Sequence, residues 1–194
     1  MKLLVVDNYD SFTYNLVYVL RQQNVDTQVL RNDKVTPKQA LEFDGIILSP
    51  GPGIPEEAGN LPGIIEKCAG KIPILGICLG HQAIAEYLGA GLVNNPHVFH
   101  GVKTPIKQLD TGCALFTDIS GSFEAGRYHS WEVNNQNLPE TIEVTAVAEN
   151  NCIMALQNRE KMLYGVQFHP ESIMTPDGPA IIKNFIAICK QETA

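Results

Sequence analysis

Residues 72–82 read IPILGICLGHQ. An apolar run ends at Cys78, with Gly76 and Gly80 two residues to either side of it. A short apolar run bounded by glycine suits a fully buried strand. The following LGHQAIAEYLG, residues 79–89, suits a helix that stops at Gly89. A cysteine at a strand end is ordinarily a packing residue. On a strand–turn–helix flanked by glycines it also has the geometry of a nucleophile elbow, in which a sharp turn lifts a reactive side chain above the sheet. The helix would aim its N-terminus at the sulfur, favouring the ionised form and offering backbone N–H groups to an anion. The Leu79 N–H is the natural first oxyanion donor.

Outward from this stretch the chain alternates. KLLVV (residues 2–6) reads as a buried parallel strand. A helix follows, with Phe12, Leu16, Val19 and Leu20 on one face, Asp10 or Ser11 as its cap and Asn24 as its end. VDTQVL (25–30) and GIILS (45–49) read as strands, and GIIEKCA (63–69) as a helix. Thr36-Pro37-Lys38-Gln39 has the form of a capping box with proline at the first helical position. Strands and helices in this rhythm imply βαβ units and a parallel sheet. After Gly91 the segments HVFHGVKTPIKQL, EAGRYHSWEV, TIEVTAVAE and CIMALQ are short, alternating and turn-rich. They read as antiparallel strands at the sheet edge or in a small second sheet. MLYGVQF (162–168) is one more strand, and PAIIKNFIAICKQ (179–191) closes the chain as a helix. The fold class is α/β: an open, mostly parallel twisted sheet flanked by helices, flavodoxin-like, with extra antiparallel strands in the second half. Residues 1–194 read as a single domain.

Bulk properties exclude several classes. A 44% hydrophobic, 18% charged chain can bury a full core. A net charge of -7 argues against a general nucleic-acid binder. No apolar run is long enough to span a bilayer, and the N-terminal run reaches Asp7 without a signal-peptide cleavage site. The five cysteines are widely spaced, and no pair has the C-x-x-C form. Reduced thiols in a cytoplasm are therefore the expectation. His97 and His100 have no acid or cysteine close by to complete a ligand set, so no metal is expected.

A thiol nucleophile needs a base. In YGVQFHPES, His169 follows an apolar strand and Glu171 lies two residues on. Pro170 disfavours a helical His169, and residues i and i+2 of an extended segment face the same way. Glu171 would then hold one imidazole nitrogen and leave the other for the cysteine. A second loop, LSPGPGIPEEAG (48–59), follows another buried strand. Its Gly51 and Gly53 permit unusual backbone conformations, and Gly53 is placed to give a second oxyanion N–H. One such donor is worth ~2.7–4 kcal/mol of barrier.

Together SPGPG, GICLGHQ, RYHS and GVQFHPES resemble the class I (triad) glutamine amidotransferases, in order and spacing along the whole chain. DNYDSFTYNL narrows the resemblance to the glutaminase subunits of chorismate-using synthases, that is, anthranilate synthase component II and aminodeoxychorismate synthase component II. The resemblance implies Cys78 as nucleophile, with His169 and Glu171 completing a triad. It implies Gly51, Pro52 and Gly53 at the glutamine site, and an oxyanion held near the Gly53 and Leu79 amides. Gln82, Ser130 and Trp131 would bind glutamine. Trp131 departs from the leucine frequent in the family: a backbone contact there would leave glutamine binding intact, whereas a side-chain contact would change the pocket shape or the partner contact.

The implied reaction is attack of the Cys78 thiolate on the glutamine side-chain amide, loss of ammonia protonated by His169, and hydrolysis of the thioester. A glutaminase domain of this type would account for nearly all 194 residues, so the ammonia is expected to pass to another protein. The expected partner is a chorismate-binding synthase subunit (component I) in a hetero-oligomer, with no nucleic acid and no membrane. No cofactor is expected in this chain, and the resemblance implies Mg2+ in the partner. Candidate partner surfaces are Asp7 to Asn15 and Val98 to Thr104, including Tyr9, Tyr14 and His100. The tryptophan pathway is favoured over the folate pathway, and a subunit shared by both is the alternative. A stand-alone γ-glutamyl thiol hydrolase would share the elbow without DNYDSFTYNL. A non-catalytic regulatory subunit would predict a broken site.

Overall fold

The computed structural model describes residues 1–96, 98–109 and 112–192. In chain order the elements are β1 (Lys2–Asp7), α1 (Thr13–Gln22), β2 (Asp26–Arg31), α2 (Pro37–Ala40), β3 (Gly45–Leu48), α3 (Leu61–Cys68), β4 (Ile74–Ile77) and α4 (Leu79–Tyr87). They continue with β5 (Leu92–Asn94), β6 (Val102–Gln108), β7 (Ser122–Arg127), β8 (Trp131–Val133), β9 (Glu143–Val147), β10 (Ile153–Asn158), β11 (Leu163–Val166) and α5 (Gly178–Glu192). Nine strands form one sheet in the order β2-β1-β3-β4-β11-β10-β9-β6-β7. The five from β2 to β11 are parallel. From β11 onward each neighbour is antiparallel. The parallel part has the doubly wound order that opens a crevice at the strands' carboxyl ends.

The buried strands are apolar throughout because both faces of the sheet are covered. Leu3 and Val5 of β1 join Leu16, Leu20, Ile181 and Phe185 on the face of α1 and α5. Leu4 and Val6, one step out of phase, join Leu61, Ile64, Leu79 and Ile84 on the other. No helix among the described residues is long and apolar enough to cross a membrane.

Most sequence expectations hold, with instructive departures. The Thr36 capping box is formed in both directions, with Pro37 at the helix start. Asn24 ends α1 at a φ of 55°. The expected cap of α1 does not form. Phe12 occupies that position with no side-chain cap, and Asp10 instead accepts from the Phe12 N–H at 2.7 Å in the lead-in turn. Phe12 is half-buried and outside the core face, where Val17 joins Leu16, Val19 and Leu20. The EAGRYHSWEV segment is broken at Tyr128–Ser130: its first half is β7 at the sheet edge, and its second half is β8, paired with β5 in a two-stranded sheet. Both placements expected for the later strands therefore occur. His97 lies outside the described residues.

Candidate active site

Cys78 sits on the turn between β4 and α4, buried and only 6% exposed. Its φ of 50° and ψ of -100° are strained for a residue with a side chain. Such a conformation costs on the order of 1–3 kcal/mol and persists only where its surroundings enforce it. The flanking glycines do so. A Cβ on Gly76 would meet the Gly80 carbonyl group at 2.3 Å, and one on Gly80 would meet the Leu48 carbonyl oxygen at 2.6 Å. The helix can therefore start directly over β4 and β3 only if both positions lack side chains. The turn is anchored by the Cys78 N–H donating to Val166 and the Gln82 N–H donating to Cys78. The first N–H groups of α4, beginning with Leu79, have no partner within the helix.

His169 and Glu171 lie beyond β11, the neighbour of β4. His169 Nδ1 lies 2.7 Å from Glu171 Oε1, both side chains being buried. The segment between them is not extended. The Ser172 N–H donates to the His169 carbonyl at 3.2 Å, closing a turn with Pro170 inside it. The backbone of His169 is pinned further by Gly126 and by the Thr175 hydroxyl, which donates to its carbonyl at 2.7 Å. Tyr128 packs edge-on against the imidazole at 4.9 Å, and Phe12 at 5.8 Å. Burial opposes a charged imidazole, but the contacts with Cys78 and Glu171 outweigh it and raise His169 to about 10. Nε2, the nitrogen left for the cysteine, is enclosed without a partner at hydrogen-bond geometry. Its pull on Cys78 is thus that of a close neighbour rather than an aligned bond. Such bonds often tighten only when substrate is bound.

The other expected residues are brought around this centre to different degrees. Gly51 wedges between β1's exit and the elbow: a Cβ there would meet Asn8 at 2.6 Å and Leu79 Cδ2 at 2.7 Å. Gly53 has the positive φ of 75° that glycine permits, and it and Pro52 are exposed. Gln82 is buried, and its Nε2 is committed to the Trp131 carbonyl at 2.8 Å and to Gln167 Oε1 at 3.2 Å. Gln82 therefore offers an incoming ligand its oxygen rather than its nitrogen. The contacts from Trp131 into the site run through its carbonyl, which also meets His129 Nδ1 at 2.9 Å. Ser130 is half-buried, and its carbonyl accepts from the Asn95 N–H.

Three residues were not singled out from sequence. Gln167, Tyr128 and Arg127 each lie within the quoted motifs, but only the fold shows their contacts. Arg127 is 1% exposed and stacks 3.5 Å from the centroid of Phe99. It binds Glu149 at 2.8 Å and donates to His129 Nε2 at 3.2 Å. Burial and the adjacent Arg127 hold His129 down at about 3. Elsewhere burial pushes the thiols of Cys68 up to about 11 and of Cys152 and Cys189 up to about 12, with Glu132 adding to the shift at Cys152. Thiols so raised are poor nucleophiles.

A family model described as "Glutamine amidotransferase class-I" matches residues 4–189. The chain is 43% identical to anthranilate synthase component 2 of Cyanophora paradoxa, covering 95% of this chain and 97% of that one. It is 42% identical to anthranilate synthase component 2 of Pseudomonas aeruginosa, covering 95% and 94%. It is 41% identical to the bifunctional protein TrpGD of Thermotoga maritima, covering 96% of this chain and 32% of that longer one. Among solved structures, a putative GMP synthase protein from Thermoplasma acidophilum superposes with a TM-score of 0.89 at 30% identity, covering 100% of this chain and 96% of that one. With the elbow, the His169–Glu171 pair and a family match along nearly its whole length, this chain belongs to the class I glutamine amidotransferases.

Proposed function

We propose that the chain is the glutaminase subunit of an anthranilate synthase, a single domain that hydrolyses L-glutamine at Cys78 and passes ammonia to a chorismate-binding component I. The observation that carries the chemistry is the buried His169–Glu171 pair beside a cysteine held on a strained elbow. The whole-chain similarity to proteins named anthranilate synthase component 2 supports the pathway.

Cys78 Sγ attacks the side-chain carbonyl carbon of glutamine, forming the carbon–sulfur bond. The oxyanion is held by the Leu79 and Gly53 N–H groups. His169, protonated, gives its proton to the departing nitrogen, and the carbon–nitrogen bond breaks to release ammonia. His169 then takes a proton from water as the water attacks the thioester. Glutamate leaves, and the electron pair of the carbon–sulfur bond returns to sulfur. Glu171 holds Nδ1 so that Nε2 faces the sulfur throughout. General acid–base help of this kind is worth roughly 10²–10⁴-fold. Gly51, Pro52, Ser130, the Trp131 backbone and Gln82 border the glutamine.

The reading assigns the chain to a cytoplasmic hetero-oligomer. Exposed apolar side chains around the site support a partner surface: Tyr9 is 51% exposed, Tyr14 69% and Val98 70%. Tyr18 and Ile173 add to it beside a cleft that Glu171 also lines. The test is glutamate release from glutamine by the chain alone and with an anthranilate-forming or an aminodeoxychorismate-forming component I plus chorismate. Stimulation by the anthranilate-forming partner is the expected result. Full activity alone, unchanged by either partner, would leave a simple hydrolase.

A further inference from the structure

Gln167 is fully buried at the end of β11, and the proposed triad makes no use of it. Its place follows from strand register. β4 and β11 run parallel with Ile77 beside Val166. The next residue on each, Cys78 and Gln167, therefore emerges side by side at the carboxyl end of the sheet. Gln167 Nε2 lies 3.6 Å from Cys78 Sγ, within hydrogen-bond reach of sulfur.

The orientation of that amide is dictated by its neighbours. The Trp131 carbonyl can only accept, so the Gln82 atom 2.8 Å from it must be the amino group. The same amino group lies 3.2 Å from the Gln167 amide, where it must meet the oxygen. That leaves the Gln167 amino group for the sulfur. A flipped Gln167 would set two donors face to face and lay a carbonyl oxygen against a nucleophile that carries negative charge. The start of the chain of bonds is fixed too. Arg127 Nε can only donate, so His129 Nε2 accepts and Nδ1 carries the proton given to the Trp131 carbonyl.

We propose that Gln167 is a positioning residue for the nucleophile: its Nε2 donates to Cys78 Sγ, and its orientation is set through Gln82 by the Trp131 carbonyl. The inference rests on Cys78 being the nucleophile. Negative charge sits on sulfur before attack and returns to it when the thioester is cleaved. A fixed N–H donor stabilises both states and holds the sulfur in one rotamer. The same chain of bonds ties the Ser130–Trp131 segment, where glutamine is proposed to bind, to the atom that attacks it.

The experiment uses the full chain with Gln167→Met and Gln167→Leu, neither of which has a polar hydrogen to donate. Alkylation of Cys78 by iodoacetamide is followed across pH by mass spectrometry of the Cys78 peptide, alongside glutaminase kcat and KM with component I. Gln157→Leu, a buried glutamine of β10, is the control, and circular dichroism reports folding. In both Gln167 variants alkylation at pH 7 should slow about tenfold, the pH–rate profile should move to the alkaline side by roughly one unit, and kcat should fall with KM little changed. The control should behave as wild type. Folded Gln167 variants with the wild-type alkylation profile would overturn the inference, even if glutaminase activity fell. A shifted profile in a protein that releases no glutamate with any partner would uphold the Gln167–Cys78 bond and instead sink the glutaminase reading.

Discussion

His169 Nδ1 lies 2.7 Å from Glu171 Oε1 across a turn closed by the Ser172 N–H. The imidazole is thus held by a residue two positions away whose backbone has already reversed. The carboxylate and its rigid turn together fix the ring.

Glu171→Gln keeps the shape and removes the charge. A hydrogen bond to a charged group is worth about 1.5–3 kcal/mol. Partner-stimulated glutamate release should therefore fall roughly 10- to 100-fold, a factor of ten for each 1.36 kcal/mol. Carbon-13 NMR of the imidazole should show His169 titrating at lower pH than in the wild type. A variant within twofold of wild type would remove Glu171 from the mechanism.

The buried histidines make stability depend on pH in opposite senses. Burial holds His81 down at about 3, as burial and Arg127 hold His129, against an ordinary 6.5. Below 6.5 the unfolded chain takes up protons that these native rings refuse. Stability present above pH 6.5 is therefore lost as pH falls toward 3, at about 2 kcal/mol for each histidine by pH 5. His169, raised to about 10 by Cys78 and Glu171 against burial, does the reverse. Its contribution is full below 6.5 and is lost as pH rises through about 10. Urea unfolding of wild type and His81→Gln at pH 5 and pH 8 checks the acid side. The wild type should lose about 2 kcal/mol more than the variant between the two.

The elbow's glycines are steric requirements. Gly76→Ala sets a methyl 2.3 Å from the Gly80 backbone, which has nowhere to go. It should destabilise by about 1–3 kcal/mol or more and displace Cys78. Gly121, with nothing within 4 Å of a Cβ, is the control, and Gly121→Ala should stay within about 0.5 kcal/mol of wild type. Equal effects in chemical denaturation would contradict this account of the turn.

Tyr14 and Tyr18 are one helical turn apart on α1 and largely exposed. Tyr14→Glu with Tyr18→Glu should weaken association with component I by about tenfold or more, measured by calorimetry. Glutamate release by the isolated chain should be unchanged. Unaltered affinity would move the interface elsewhere.

The alternating apolar strands, the elbow and the His-Pro-Glu segment were legible because each depends on local spacing. Gly76 and Gly80 announce the turn through residue type alone. What sequence could not carry was strand register. Gln167 meets Cys78 only because β11 inserts beside β4, across 89 residues of chain. Arg127, at the end of β7, gains its partners Phe99 and Glu149 only through the fold. Glu171 reaches His169 through a turn and not along an extended strand, a difference that the i, i+2 spacing alone does not carry. β5 was missed because its three half-exposed or exposed residues show no alternation.

The most direct test of the central claim is Cys78→Ala assayed in complex with component I, with glutamine and then with ammonium as nitrogen donor. Glutamine-dependent anthranilate formation should be abolished while ammonium-dependent formation continues at the wild-type rate. Glutamine-dependent formation at the wild-type rate in the variant would contradict that claim.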